Sequence, residues 1–281
     1  MQLKRNLLCI WGLATAAVLF YFAYYANEEP ARAANVTHTV QVGCDIHTTD
    51  EVDYFFPNNT HKHHRLGGQP ALATSTVADL QANTNTSCNT PEYAAEDWFP
   101  EIWHGPNAGS VSIRKVNVYY SGDEGVTRAP IPDGAQLLGN EAVTDVDYRC
   151  GGKGNPVIED AQDLYGCTKD QFRIRVQMPD CWDGNGLTTE HFAGRVGGDC
   201  PAAFPESLIE ARLAIHYNTP AGGVQEPIVV STNGGRAPID TMHADIFFTV
   251  RNSYYRLLED CGITAPIPGK MPAKCRTGEA A

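Results

Sequence analysis

The densest run of ionisable side chains is Thr60-His61-Lys62-His63-His64-Arg65, followed by Leu66-Gly67-Gly68. On an extended backbone successive side chains point to opposite faces, so His61 and His63 share one face and His64 takes the other. Two imidazoles at that spacing can share a metal ion, or one can act as a general base beside a cation. A solvated basic loop would have the same composition. Far along the chain, His243-Ala244-Asp245 repeats the spacing and puts a second pair on one face of a strand. If the two pairs converge, His61, His63, His243 and Asp245 form a ligand set suited to zinc or a related divalent metal.

A third set is Asp180-Cys181-Trp182-Asp183-Gly184-Asn185, with His191 soon after. It follows an alternating segment that ends at Met178, which places it in a loop at a strand end, where functional groups concentrate. Asp183 and His191 therefore join His61, His63, His243 and Asp245 as candidate catalytic residues. Trp182 can stack on a sugar ring or pack on a disulfide. His216 alternates with apolar residues and is expected to face away from the core. His38, His47 and His104 have no partner at informative spacing. The chain lacks a Gly-x-Ser-x-Gly elbow, a phosphate-binding glycine loop with Lys-Ser/Thr, and His-Glu-x-x-His. Serine-hydrolase, nucleotide-dependent and zincin readings thus have no support.

The elements that must position these residues are mostly strands. Phe172, Ile174, Val176 and Met178 interleave with Arg173, Arg175 and Gln177, and Ile209 to Tyr217 alternates in the same way. Period two over that length predicts half-buried strands. Val111–Tyr120 and Pro227–Ser231 carry weaker versions of the pattern. A short helix is expected over Ser75–Ala82, capped by Ser75 or Thr76. Another is expected where Tyr254, Leu257, Leu258 and Cys261 recur at helical spacing, with Ser253 to cap it and Gly262 to stop it. Asp133–Gly166 shows no period and reads as an excursion from the sheets. The expected class is mainly β: a β-sandwich or jelly-roll-like ectodomain with long loops and a short C-terminal helix.

Lys4 and Arg5 precede an uncharged run over residues 6–26, long enough to span a bilayer. Ala31-Arg32-Ala33 fits a cleavage site, while the aromatic cluster Tyr21-Phe22-Tyr24-Tyr25 fits an uncleaved anchor. Residues 1–33 are thus a signal peptide or signal anchor, and 34–281 a single ectodomain, extracellular or at the cell surface. It would touch the membrane only through an uncleaved leader. The net charge of −12 argues against nucleic acid as a partner. Cys9 lies in the leader, leaving Cys44, Cys88, Cys150, Cys167, Cys181, Cys200, Cys261 and Cys275 for up to four disulfides in an oxidising compartment. Eight cysteines allow 105 pairings. Pairing of near neighbours would join Cys150–Cys167, Cys181–Cys200 and Cys261–Cys275, leaving Cys44–Cys88. Asn35, Asn58 and Asn85 begin glycosylation sequons.

Several motifs in this order resemble the DUF1996 family, a secreted domain of unknown function found in actinobacteria and fungi. They are Asp53-Tyr54-Phe55-Phe56-Pro57, Thr60 to Gly67, Thr86-Ser87-Cys88, Asp97-Trp98-Phe99-Pro100, Val118-Tyr119-Tyr120, Met178 to Gly184, Leu187 to His191, Cys200-Pro201 and His243-Ala244-Asp245-Ile246. The resemblance covers roughly residues 38–262. It departs at His64, where the family has Asp, and at Lys62, where it has Leu. Sugar-binding modules attached to some members imply a polysaccharide or cell-wall glycan as partner. The expected function is an exported carbohydrate-active hydrolase or lyase with a His/Asp centre. The alternative is a non-catalytic glycan- or protein-binding domain with Trp98, Trp103 and Trp182 as platforms. A third reading leaves the His and Asp residues as buried structural hydrogen bonders.

Overall fold

The computed structural model describes residues 37–264, apart from 51–60, 69–74, 84, 106–108, 124–125, 153, 159 and 234, together with Cys275. The leader and the sequons at Asn35 and Asn58 lie outside the described residues. Among those described, no helix is long and apolar enough to cross a membrane.

In chain order the strands are β1 Thr37–Cys44, β2 Thr48–Asp50, β3 His63–Gly67, β4 Glu96–Pro100, β5 Ile102–His104, β6 Ile113–Asp123, β7 Gln136–Asn140 and β8 Val146–Cys150. They continue as β9 Gln171–Gln177, β10 Cys181–Trp182, β11 Phe192–Ala193, β12 Glu206–Ser207, β13 Glu210–Asn218, β14 Ile228–Thr232, β15 Gly235–Pro238 and β16 His243–Phe247. Two five-stranded sheets dominate, ordered β1-β6-β13-β9-β8 and β2-β3-β4-β16-β7, and their strands pair antiparallel. The mainly β class expected from alternation is what the chain forms.

Alternation divides each large sheet into an apolar and a polar face. In the first, Val118, Tyr120, Ile174, Val176, Leu213 and Ile215 are buried in the core. In the second, Leu66, Phe99, Leu137 and Ile246 belong to the same core. Gly139 lies where β7 crosses β9. A Cβ there would sit 2.3 Å from the carbonyl oxygen of Gln177, so only glycine permits the approach. Gly67 closes β3 at φ +106°, where a Cβ would meet the Ala95 carbonyl oxygen at 1.9 Å.

The segment expected to be an excursion, Asp133–Gly166, instead supplies β7 and β8, one edge of each large sheet. Its pattern hides for a physical reason. Leu138 turns an apolar side chain to the polar face, and Gly139 shows no side chain at all. The short helix expected early in the chain spans Val77–Ala82. Thr76 accepts from the Asp79 amide while the Asp79 carboxylate accepts from the Thr76 amide, a capping box. The C-terminal helix spans Asn252–Asp260 and buries Tyr254 and Leu258. Its N-cap is Arg251 rather than the expected Ser253, and Gly262 follows at φ 68°.

His216 does point away from the core, yet it is buried, because β6 and β9 flank it with Lys115 and Arg173. Burial first, then Lys115, Arg173 and Arg114, lower its pKa from 6.5 to about 4. Folded, the imidazole stays neutral; unfolded, it takes a proton below about pH 6.5. Its contribution is therefore complete above pH 6.5 and is lost as pH falls toward 4. His216→Gln is expected to make stability at pH 4.5, relative to pH 7, less acid-sensitive by about 2–3 kcal/mol in denaturant titrations.

The four disulfides are Cys44–Cys88, Cys150–Cys167, Cys181–Cys200 and Cys261–Cys275. Each cysteine pairs with its neighbour in the series, and four disulfides are consistent with an oxidising, extracellular compartment.

Candidate metal centre

Strand register builds the site. β3 places His63 opposite Pro100 of β4, and β16 places His243 opposite Asn140 of β7. Residues two apart share a face, so His63 and Arg65, Glu96 and Trp98, and His243 and Asp245 all stand on the face away from Leu66 and Phe99. His61 precedes β3 and reaches the same place. His64 turns to the other side, bonding Thr49 Oγ1 through Nδ1 at 2.8 Å and lying against Phe99.

His61, His63 and His243 each offer one ring nitrogen, all within 4.8 Å of one another. The Nε2 atoms of His63 and His243 are 3.3 Å apart. A tetrahedral ion with nitrogen ligands at 2.0–2.1 Å sets its ligands about 3.3 Å apart, so this separation is already a coordination distance. The outer nitrogens of His61 and His243 are tied down, while Nδ1 of His63 is buried without a hydrogen-bond partner among the described residues. His61 Nδ1–H donates to Asn233 Oδ1 at 2.8 Å, and His243 Nδ1–H to the Thr241 carbonyl at 3.4 Å. These bonds fix the tautomers that leave Nε2 lone pairs facing inward, the arrangement found behind metal-bound histidines. Among the described residues, Nε2 of His61 is buried without a hydrogen-bond partner.

Electrostatics favour the ligating form. Burial, then the charges of His61 and His243, push the His63 pKa down to about 2. Burial lowers His243 to about 4. Neutral imidazole is what a cation binds. A pocket of about 430 Å³ opens over the cluster, lined by His61, Leu138, Asn140, Glu141, Asp240 and His243 among others. His63 lies beneath, fully buried. Tyr148 donates its hydroxyl to Glu141 Oε1 at 2.8 Å, holding that exposed carboxylate at the rim.

The other sequence candidates fall elsewhere. Asp245 stands beside the cluster, its Oδ2 3.8 Å from His243 Nε2, and is 1% exposed. It is not one of the three converging groups. Asp183 and His191 are joined to each other at 2.7 Å. Their loop meets the far end of β7, where the Gln136 amide donates to the Leu187 carbonyl, whereas His243 lies opposite Asn140. Four residues of strand, about 14 Å, separate those ends. Asp183 also accepts from the Asn185 amide, Gly184 takes φ 81°, and Trp182 Nε1 donates to the Gly186 carbonyl. Those bonds account for the motif as a turn closed by Cys181–Cys200. Asp180 receives Arg128 at 3.2 Å and Arg195 at 2.5 Å, a buried ion-pair group.

The three tryptophans expected as platforms are buried or already have a ring neighbour. Trp98 is buried, Trp103 has the Arg236 guanidinium 4.2 Å over its ring, and Trp182 stacks on Phe192. Sequence reasoning missed Asn233, Glu141 and Asp240. None belongs to a motif, and only the hairpin between β14 and β15 brings Asn233 to His61.

A family model described as a domain of unknown function, DUF1996, matches residues 56–249. No curated protein and no solved structure matches the chain.

Proposed function

The chain belongs to the DUF1996 family, and because that family is defined without a function, we propose one from the histidine cluster itself. His61, His63 and His243 bind one divalent cation, zinc by preference, and the protein is a metal-assisted hydrolase or lyase acting on an extracellular polysaccharide. The observation that carries this reading is the 3.3 Å approach of two inward-facing Nε2 atoms beside a third histidine. Without a cation, Nε2–H of His63 can bond Nε2 of His243, but Nε2 of His61 is left buried and unbonded among the described residues; a cation takes one nitrogen from each of the three. Three histidines with an open side match catalytic rather than structural zinc, which is closed by four protein ligands.

A cation bound there supplies a Lewis acid and, at neutral pH, an ionised water. The chain's own groups do the rest. Glu141 and Asp240 at the pocket rim are carboxylates able to take or return a proton. Leu138 and Ala142 line the same pocket with apolar surface. Asp245, its Oδ2 3.8 Å from His243 Nε2, places a buried carboxyl group beside the three nitrogens. The two large sheets, read as a β-sandwich, give the three histidines a rigid support, since β3 and β16 both pair with β4. The four disulfides support an extracellular or cell-surface site of action. The runner-up, a tryptophan-based glycan binder, is weakened by the covered rings of Trp98, Trp103 and Trp182.

Elemental analysis of the purified, untagged protein tests the reading. About one zinc or related ion per chain is expected. Absence of stoichiometric metal, even after reconstitution with zinc, copper or manganese, would sink it. A loaded protein then warrants a screen of polysaccharides for chain cleavage, with the metal-free form as control.

A further inference from the structure

The first large sheet carries an unusual row on its outer face. Register places Lys115 of β6 opposite His216 of β13, His216 opposite Arg173 of β9, and Arg173 opposite Arg149 of β8. Three cations and a histidine kept neutral by burial thus stand side by side across four adjacent strands, spanning about 14 Å, with Arg173 and Arg149 directly opposite each other. Like charges directly opposite one another destabilise a sheet. The rows beside it show the ordinary solution: Asp147 takes both Arg173 and Arg175, and Glu210 takes Arg212. Within the row itself there is no carboxylate. The bulge at His216/Tyr217 adds Arg114, whose guanidinium reaches Asp170 at 2.8 Å.

The cations are incompletely satisfied. Among the described residues, Lys115 and Arg149 have no carboxylate partner, and buried Nε of Arg149, Nε of Arg173 and Nδ1 of His216 make no hydrogen bond. Burial, then the neighbouring Arg149 guanidinium, depresses the Arg173 pKa. Chain with a net charge of −12 has little use for such a row in solubility alone. Long-range repulsion from that net charge is screened beyond about 8 Å at physiological salt, leaving the local row to decide contact.

We propose that the row Lys115–His216–Arg173–Arg149 binds an acidic polysaccharide, its sulfate or carboxylate groups supplying the anions that the sheet leaves out. Spaced anions on an extended chain match a row of cations set at the inter-strand spacing. A polynucleotide fits less well, because this face offers Tyr119 as its aromatic ring and base stacking on aromatics is a main source of single-strand affinity. The row lies on a different sheet from the histidine centre, so it stands whether or not that centre holds metal.

The test titrates the purified protein with fluorescently labelled heparin and polygalacturonate, with dextran as the uncharged control, over a range of NaCl. Wild type is expected to bind at least one of the acidic polymers and not dextran. Lys115→Ala/Arg149→Ala is expected to weaken binding about tenfold or more and to reduce the slope of log K against log salt by about two. Lys115→Arg/Arg149→Lys, which keeps both charges, is expected to retain binding, separating charge from fold. Unchanged affinity in the alanine pair, or failure of wild type to bind either acidic polymer at about 50 mM NaCl, overturns the proposal. So does equally tight binding of DNA, which would make the row a nucleic-acid contact.

Discussion

Alanine in place of His243 is expected to lower the metal content of the purified protein from about one ion per chain to under about a tenth, read by elemental analysis after dialysis. The variant should still fold. His243 lies at the rim of an open pocket with its side chain 18% exposed, and the adjacent core contact is made by Ala244, which is untouched. Losing one of three ligand nitrogens removes far more than losing a supporting hydrogen bond, which typically costs 10–100-fold in affinity. That lesser effect is the expectation for Asn233→Ala, because Asn233 orients His61 without touching the ion. His216→Gln, on the other large sheet, should bind metal as wild type does. Undiminished metal in His243→Ala would place the ion elsewhere; equal losses in His243→Ala and His216→Gln would mean nonspecific surface binding.

The centre was partly legible because its residues announce themselves in pairs at i, i+2. A strand obliges such pairs to share a face, and His61, His63 and His243 do. What two-residue spacing cannot say is how far along a neighbouring strand the second pair will register. Asp245 shares its face with His243 and lies deeper, opposite Trp98 and Leu138, with its Oδ2 3.8 Å from His243 Nε2. Asp183 and His191 stand apart from the cluster for another reason. A carboxylate bonding a nearby histidine is as good at closing a turn as at catalysis, and only the position of their loop at the far end of β7 separates the uses. The basic row was illegible from sequence. Arg149 and Lys115 are distant in the chain, and like charges become neighbours only when four strands align.

The fold followed the same logic. β9 and β13 alternate over seven residues or more and are evident. β7 does not, because its second leucine faces the histidine pocket and its glycine lets β9 come close. A strand that serves a site and a sheet crossing in five residues has no alternation left to read. The element most involved in the pocket is therefore the one the sequence conceals.

Removing the Cys44–Cys88 bond, as Cys44→Ala/Cys88→Ala, is expected to give the largest stability loss of the four disulfides. Its sequence separation is 44, against 14 to 19 for the others. In the chain-entropy account the cost rises with the logarithm of loop length, giving about 4 kcal/mol here and about 3 kcal/mol for the shorter loops. Denaturant unfolding of the double variants would read both values. The bond's position makes a second consequence follow. Cys44 ends β1 of the first sheet, and the segment holding Cys88 is bonded to both neighbours: Asn89 donates to the Gly43 carbonyl, and Ser87 to that of Gly67, the last residue of β3. The disulfide thus pins one sheet to the end of the strand that carries His63. Loosening it should weaken metal retention before global unfolding, whereas Cys261→Ala/Cys275→Ala, which clips the end of the C-terminal helix, should lower stability and leave metal bound. Equal metal retention in the two variants would show that β3 is held by its pairing with β4 alone.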